Sequence, residues 1–131
     1  QTIFTVPNLE TLRKGGRISA LAGILGQLLQ VRPVMQLNDG AIELLDRPRS
    51  EAKALSIITD IATSVPPPVR LSVQSYGDYD MAHQIAGELQ EHSSMPVPVV
   101  RLPAVLAAHL GLGALGISIS PDLDYASYGT A

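Results

Sequence analysis

Two hydrophobic periods alternate along this chain of 131 residues, and they constrain its fold more than any single motif does. Val69, Leu71 and Val73 alternate with polar residues, which is the period of a strand with one covered face. Residues 50–64 and 78–91 repeat their apolar positions at helical spacing instead. Helices interleaved with amphipathic strands predict an α/β fold: a single two-layer domain with the helices packed on a mixed β-sheet.

Turn and cap signals place the remaining elements. Asn38-Asp39-Gly40 between two apolar runs predicts a β-hairpin, and Pro98 predicts that its strand lies at a sheet edge. Ser50 and either Asp78 or Asp80 are expected to begin the two helices. The other predicted elements are a strand at 3–6, helices at 8–14 and 20–28, hairpin strands at 31–37 and 41–45, a strand at 97–102, an extended segment at 105–108 and a last strand from Leu115.

Composition excludes several classes of protein. At 46% hydrophobic and 16% charged, the chain is too apolar for intrinsic disorder. Its aromatic content of 4% leaves little for stacking on bases, so we expect no nucleic-acid partner. No apolar run reaches the roughly 18 residues of a membrane span, so no integral membrane segment is expected. Without cysteine or a His cluster at ligand spacing, we expect no metal and no cofactor. A cytoplasmic location is expected.

Positive charge is concentrated in the first part of the chain. Residues 1–53 hold seven of the nine basic residues against five acidic ones, whereas residues 54–131 hold two against seven. Within the basic part, Gly15 and Gly16 separate Arg13-Lys14 from Arg17-Ile18-Ser19, and Ser19 is expected to cap the helix at 20–28. Cations beside a helix N-terminus favour an anion such as a carboxylate or phosphate. An ordinary interhelix link with solvated arginines explains the pattern equally well.

A glycine-rich turn follows His109. Gly111, Gly113 and Gly116 form a literal GxGxxG, but the next residues have strand character and only fifteen residues remain, so a dinucleotide fold is disfavoured. His109 lies in an apolar segment, where a histidine is more often a core residue than a ligand-binding one, although a single imidazole can donate to an anion. His83 is expected to face solvent, and His92, in a polar helix end, is expected to have no functional role.

Four segments resemble the DegV family of fatty-acid-binding proteins. Residues 8–19 (NLETLRKGGRIS) are similar to its LEyLRKGGRIS signature, and residues 25–33 continue the similarity through the hairpin. Arg47-Pro48-Arg49-Ser50 matches a basic stretch that opens a helix, and residues 109–116 (HLGLGALG) resemble the HxGPGALG turn. Leu112 replaces the proline of that turn, and Ala107 stands where glycine is common. The resemblance covers the C-terminal domain of a two-domain protein, assigned here to residues 1–120, with residues 121–131 as a tail.

The resemblance implies a non-enzymatic carrier of a long-chain fatty acid. The acyl chain would lie in a cleft shared with an N-terminal domain, and its carboxylate would be presented to a partner fatty acid kinase. By matching position, Arg17, Arg49 and His109 are expected to contact the head group or its phosphorylated form, beside Gly15, Gly16, Ile18, Ser19, Gly111 and Gly113. Ala22, Leu25 and Leu28 would line the chain pocket. An uncovered apolar surface could also associate two copies as a homodimer.

Two other functions remain open at this point. The region of Arg17 and His109 could serve a phosphoryl- or acyl-transferring enzyme, which would turn over an acyl substrate without a partner protein. The chain could instead be a regulatory module that binds a protein through the polar face of its sheet. In that case, replacing Arg17 or His109 by alanine would leave ligand binding unchanged.

Overall fold

A computed structural model describes residues 1–7, 31–38 and 40–121, apart from the side chains of Asn38, Leu106 and His109. The strands are β1 (Thr2–Thr5), β2 (Val34–Asn38), β3 (Ala41–Asp46), β4 (Val69–Ser75), β5 (Val99–Arg101) and β6 (Leu115–Pro121). The helices are α1 (Glu51–Ser64), α2 (Tyr79–Leu89) and α3 (Ala104–Leu110), and a 3-10 turn (Gln90–His92) follows α2. The predicted helices at 8–14 and 20–28, and residues 122–131 of the predicted tail, lie outside the described residues.

The six strands form one mixed sheet in the order β3-β2-β1-β6-β4-β5. All neighbours are antiparallel except β4 and β5, which run parallel through the pairs Val73–Val99 to Ser75–Arg101. β5 lies at an edge, as Pro98 predicts. The hairpin of β2 and β3 is confirmed, and Gly40 at its turn has φ +81°. This positive φ costs glycine little, because glycine has no side chain to collide with its own backbone.

α1 and α2 pack on one face of the sheet and bury the larger part of the core. Ala54, Ile58 and Ala62 form the buried stripe of α1, in agreement with the helical spacing. The sheet supplies alternate residues of β1, β4 and β6, among them Ile3, Val73 and Ile117. Both helix starts carry the predicted kind of cap. Ser50 Oγ accepts from Lys53 N at 3.1 Å, and Asp78 Oδ1 accepts from Met81 N at 3.0 Å.

On the opposite face of the sheet, here called the open face, α3 is the one helix within residues 1–7, 31–38 and 40–121 that covers part of the strands. The sequence-based prediction of an extended segment at 105–108 is wrong, because α3 occupies Ala104–Leu110. Three of its seven residues are alanine, the strongest helix former, and the helix ends at Gly111, whose φ is +85°. Beneath α3 lies a second, smaller apolar cluster of Phe4, Val6, Met35, Leu102, Ala107 and Ala114.

Thr5 carries a buried hydroxyl that has no hydrogen-bond partner in residues 1–7, 31–38 and 40–121. The residue is fully buried at the end of β1, on the face that α1 and α2 cover. Thr5→Val keeps the shape and removes a desolvated polar atom, so the free energy of unfolding should rise by about 1 kcal/mol. Urea unfolding measures the change. The control is Thr2→Val on the same strand, whose hydroxyl lies 3.1 Å from Ser118 Oγ and whose loss should be neutral or destabilising. The prediction would be contradicted if Thr5→Val lowers the free energy of unfolding by more than Thr2→Val does.

Candidate functional site

A groove of about 430 Å³ runs across the open face. Small-molecule sites in proteins occupy roughly 300–1,000 Å³, so the groove has the size of a ligand pocket. Its walls are apolar side chains from β1, the β2–β3 hairpin, α3 and the segments that flank α3. The principal apolar residues of the lining are Phe4, Leu37, Ile42, Leu102, Pro103, Leu110 and Ala114. An apolar chain is the kind of ligand that such a surface binds.

Small residues of β6 and the preceding turn keep the groove open. Gly116 pairs with Phe4 on one side and Gln74 on the other, so its missing side chain leaves space on the open face. A Cβ at this position would lie 3.1 Å from Phe4 Cβ and 3.2 Å from the carbonyl oxygen of Ile3. Ala114 adds only a methyl group to the lining. Gly116, the last glycine of the GxGxxG sequence, therefore shapes the groove.

Four polar side chains cross the floor of the sheet on the open face, and we call them the polar row: Thr2, Ser72, Gln74 and Ser118. Gln74 Nε2 donates to Ser72 Oγ at 2.8 Å and to Ser118 Oγ at 2.9 Å. Ser118 Oγ lies 3.1 Å from Thr2 Oγ1, and either hydroxyl could donate. Thr2, Gln74 and Ser118 also line the groove. The groove thus combines apolar walls with a neutral hydrogen-bonding floor.

A second cavity of about 310 Å³ lies along another side of α3, against Tyr76, Arg101 and alanines of that helix. Leu102 borders both cavities, and the residues of α3 are divided between their linings: Leu110 lines the groove, whereas Ala104, Ala107 and Ala108 line the second cavity. The guanidinium carbon of Arg101 lies 5.5 Å from the centre of the Tyr79 ring, a cation–π contact at the end of β5. Arg101 is exposed and is not among the described residues that line the groove.

The structure describes only some of the site residues predicted from the sequence. Arg49 is exposed in the loop before α1 and is not among the residues that line the groove. Gly111 and Gly113 form the turn between α3 and β6, with φ of +85° and +93°. His109 belongs to the last turn of α3, and its side chain is not described. The others, outside the described residues, are Gly15, Gly16, Arg17, Ile18, Ser19, Ala22, Leu25 and Leu28. Their roles stay predictions.

Sequence reasoning missed the groove residues, although one signal pointed to them. Three strands carry these residues at the positions that alternate with the core residues: Thr2 and Phe4 in β1, Ser72 and Gln74 in β4, and Gly116 and Ser118 in β6. Phe4 is a large apolar side chain on a face where the other positions are polar or glycine. A large apolar residue on such a face indicates that part of the face is covered. The alternation alone does not show that α3 supplies the cover, because the pairing of distant strands decides which residues meet.

A profile of the DegV family, described as uncharacterised proteins, matches residues 1–122. The chain belongs to the DegV family. A DegV domain-containing protein of Streptomyces coelicolor is 35% identical over 121 residues, which is 89% of this chain and 43% of that protein. This DegV-family chain therefore spans less than half the length of that relative.

Solved DegV structures share the fold. One is a fatty acid binding DegV family protein from Streptococcus agalactiae, with a TM-score of 0.82 and 30% identity over 92% of this chain and 44% of that one. A DegV family protein from Thermus thermophilus, described for its fatty acid binding, gives a TM-score of 0.79 and 31% identity over 92% of this chain and 45% of that one. The six-stranded mixed sheet with its packed helices is therefore a DegV-family architecture.

Residues 1–7, 31–38 and 40–121 lack both a membrane-spanning helix and a cluster of metal-ligating side chains. None of the helices there combines the length and the hydropathy of a membrane span. The same residues contain no group of three or more His, Asp or Glu side chains placed to hold a metal ion. Both findings concern this part of the chain alone.

Proposed function

We propose that this DegV-family chain binds the acyl chain of a long-chain fatty acid in the groove and acts as a carrier without catalytic activity. The observation that carries the proposal is the apolar groove on the open face, in a fold whose solved relatives are described as fatty acid binding proteins. Burial of hydrocarbon contributes about 0.8 kcal/mol per methylene, so roughly fourteen methylenes offer on the order of 11 kcal/mol before the loss of ligand freedom. Most of the affinity then comes from the chain.

The carboxylate of the ligand needs a positive charge that the described lining of the groove does not supply. Among the described residues that line the groove, none carries a charge, and a carboxylate is not buried without hydrogen bonds or a cation. In the proposal, His109, Arg17 and Arg49 contact the head group or its phosphorylated form, and a partner kinase receives the carboxylate at that end. The acyl chain extends away from it along Phe4, Leu102 and Leu110.

The cleft is proposed to be completed by the part of the longer relatives that this chain does not span. Val105 and Leu112, on α3 and in the turn after it, are 71% and 70% exposed. Both are large apolar residues, and exposed apolar side chains on α3 and in the turn after it favour a covering partner. A second domain placed over α3 would bury them and close the groove.

The test is to express the protein from its complete gene in a host that makes fatty acids and to identify the retained lipid by mass spectrometry. One long-chain fatty acid per protein is expected, whereas the 131-residue chain alone should retain little or none. The same preparation should not turn over an acyl substrate in the absence of a partner protein. A complete gene product that never retains a fatty acid, even after incubation with palmitate, stearate or oleate, would overturn the proposal.

A further inference from the structure

We infer that the polar row is a recognition element for a hydroxyl group carried by the bound acyl chain. The inference rests on the proposed function, because it concerns the groove in which that chain would lie. It goes further by assigning a ligand class, the hydroxylated long-chain fatty acids, and by naming Gln74, Ser118 and Thr2 as the residues that select it.

Within the part of the chain that the structure describes, the hydrogen bonds of the polar row leave part of its capacity unused. Both hydrogens of the Gln74 amide are directed to serine oxygens, at 2.8 Å and 2.9 Å. One hydroxyl hydrogen bridges Ser118 and Thr2, so the second hydroxyl of that pair keeps its hydrogen for another acceptor. Thr2 and Ser118 line the groove. A ligand atom above them can therefore accept one hydrogen bond and can also donate to a remaining lone pair.

Gln74 adds a second sign that the network is incomplete. Its Oε1 is buried and has no hydrogen-bond partner among the described residues, although an amide oxygen can accept two hydrogen bonds. The carboxamide lies above Gly116, where a Cβ would be 3.5 Å from Oε1. Exchanging the amide oxygen and nitrogen would make Nε2 the unpaired group instead. A ligand hydroxyl both donates and accepts, so it complements the hydroxyls of Thr2 and Ser118 in either orientation of the Gln74 amide.

The surroundings favour a hydroxyl over a carboxylate at this place. The described lining of the groove holds no Lys, Arg or His side chain to offset a negative charge. The polar row is also enclosed by apolar walls, including Phe4 and Ile42, which would extend along the hydrocarbon on either side of the polar group. A neutral oxygen within an apolar chain matches both features, whereas the charged head group matches neither.

The experiment compares stearate with 10-hydroxystearate and 12-hydroxystearate on the protein expressed from its complete gene. In a purely apolar groove the hydroxyl would weaken binding by roughly tenfold or more, because it would lose its water without gaining a partner. With the polar row, we expect at least one hydroxystearate to bind as tightly as stearate or more tightly. Competition against a fluorescent fatty acid gives the ratio of dissociation constants within one preparation.

Two variants assign the effect to the polar row. Gln74→Met keeps the length of the side chain and Ser118→Ala keeps the strand, and each should lower the affinity for the preferred hydroxystearate relative to that for stearate by roughly tenfold. Ser120→Ala is the control, on the same strand but exposed and outside the groove lining. The ratio of the dissociation constants for stearate and the hydroxystearate is measured within one variant, so a loss of stability in that variant affects both constants alike.

The outcomes separate this inference from the proposed function. The inference would be overturned if stearate binds, both hydroxystearates bind tenfold more weakly, and neither variant changes the ratio of their dissociation constants. That result would leave the carrier function intact. Failure of every fatty acid to bind would overturn the carrier function, and the inference with it. A hydroxystearate preference that Gln74→Met and Ser118→Ala abolish supports both.

Discussion

Gly113→Ala should lower the free energy of unfolding by about 3 kcal/mol or more, a large share of the stability of a small domain. Gly113 has φ +93°, which an alanine adopts only with strain. A Cβ there would lie 2.7 Å from Pro7 Cγ, and a proline ring cannot rotate away. The backbone cannot shift easily either, since Gly113 N donates to the carbonyl oxygen of Tyr76 at 2.7 Å. Equilibrium urea unfolding gives the change.

Two controls separate the clash from the backbone strain. Gly40 also has a positive φ, +81°, but its added Cβ would meet nothing within 4 Å, so Gly40→Ala should cost only about 1 kcal/mol. The double variant Pro7→Ala with Gly113→Ala removes the ring and should recover much of the difference. Equal losses for Gly113→Ala and Gly40→Ala would show that Pro7 does not restrict this turn.

The contrast between these glycines shows what the sequence can and cannot predict about the fold. Long and regular apolar spacing correctly predicts α1, α2 and the alternating β4. The Ser50 cap and the Asn38-Asp39-Gly40 turn correctly predict the start of α1 and the hairpin. α3 was missed because seven residues give too few turns for a period to show. The role of Gly113 depends on Pro7, more than a hundred residues away, so no local pattern could identify it.

The site was less predictable than the fold for the same physical reason. The groove forms where β1, β6, the hairpin and α3 converge, and the pairing of Thr2 with Ser118 joins the two ends of the described chain. Sequence spacing places residues on a face but does not say which faces meet. Among the described residues, those predicted from family resemblance, such as Arg49 and Gly111, concern the head group and the turn, whereas Ala22, Leu25 and Leu28, predicted for the chain pocket, lie outside the described part. The residues that would touch the acyl chain become visible only once the strand order is known.

Binding of a fatty acid should fall at least about a hundredfold in Ile42→Glu, measured on the protein expressed from its complete gene. Ile42 lies on β3 opposite Leu37, and both line the groove. A glutamate at this position puts a carboxylate beside the hydrocarbon, where it must either be desolvated or hold water in the groove. In both cases the apolar contact with the acyl chain is lost.

Leu45→Glu is the matched control for this prediction, because it makes a similar change on the same strand at an exposed position. Leu45 is 41% exposed and does not belong to the groove lining, so its replacement by glutamate should leave fatty acid affinity unchanged. Melting temperatures of the two variants show whether Ile42→Glu acts through binding or through unfolding. A folded Ile42→Glu variant with unchanged affinity would place the acyl chain elsewhere in the protein. An equal loss in both variants would point to overall negative charge rather than to the groove.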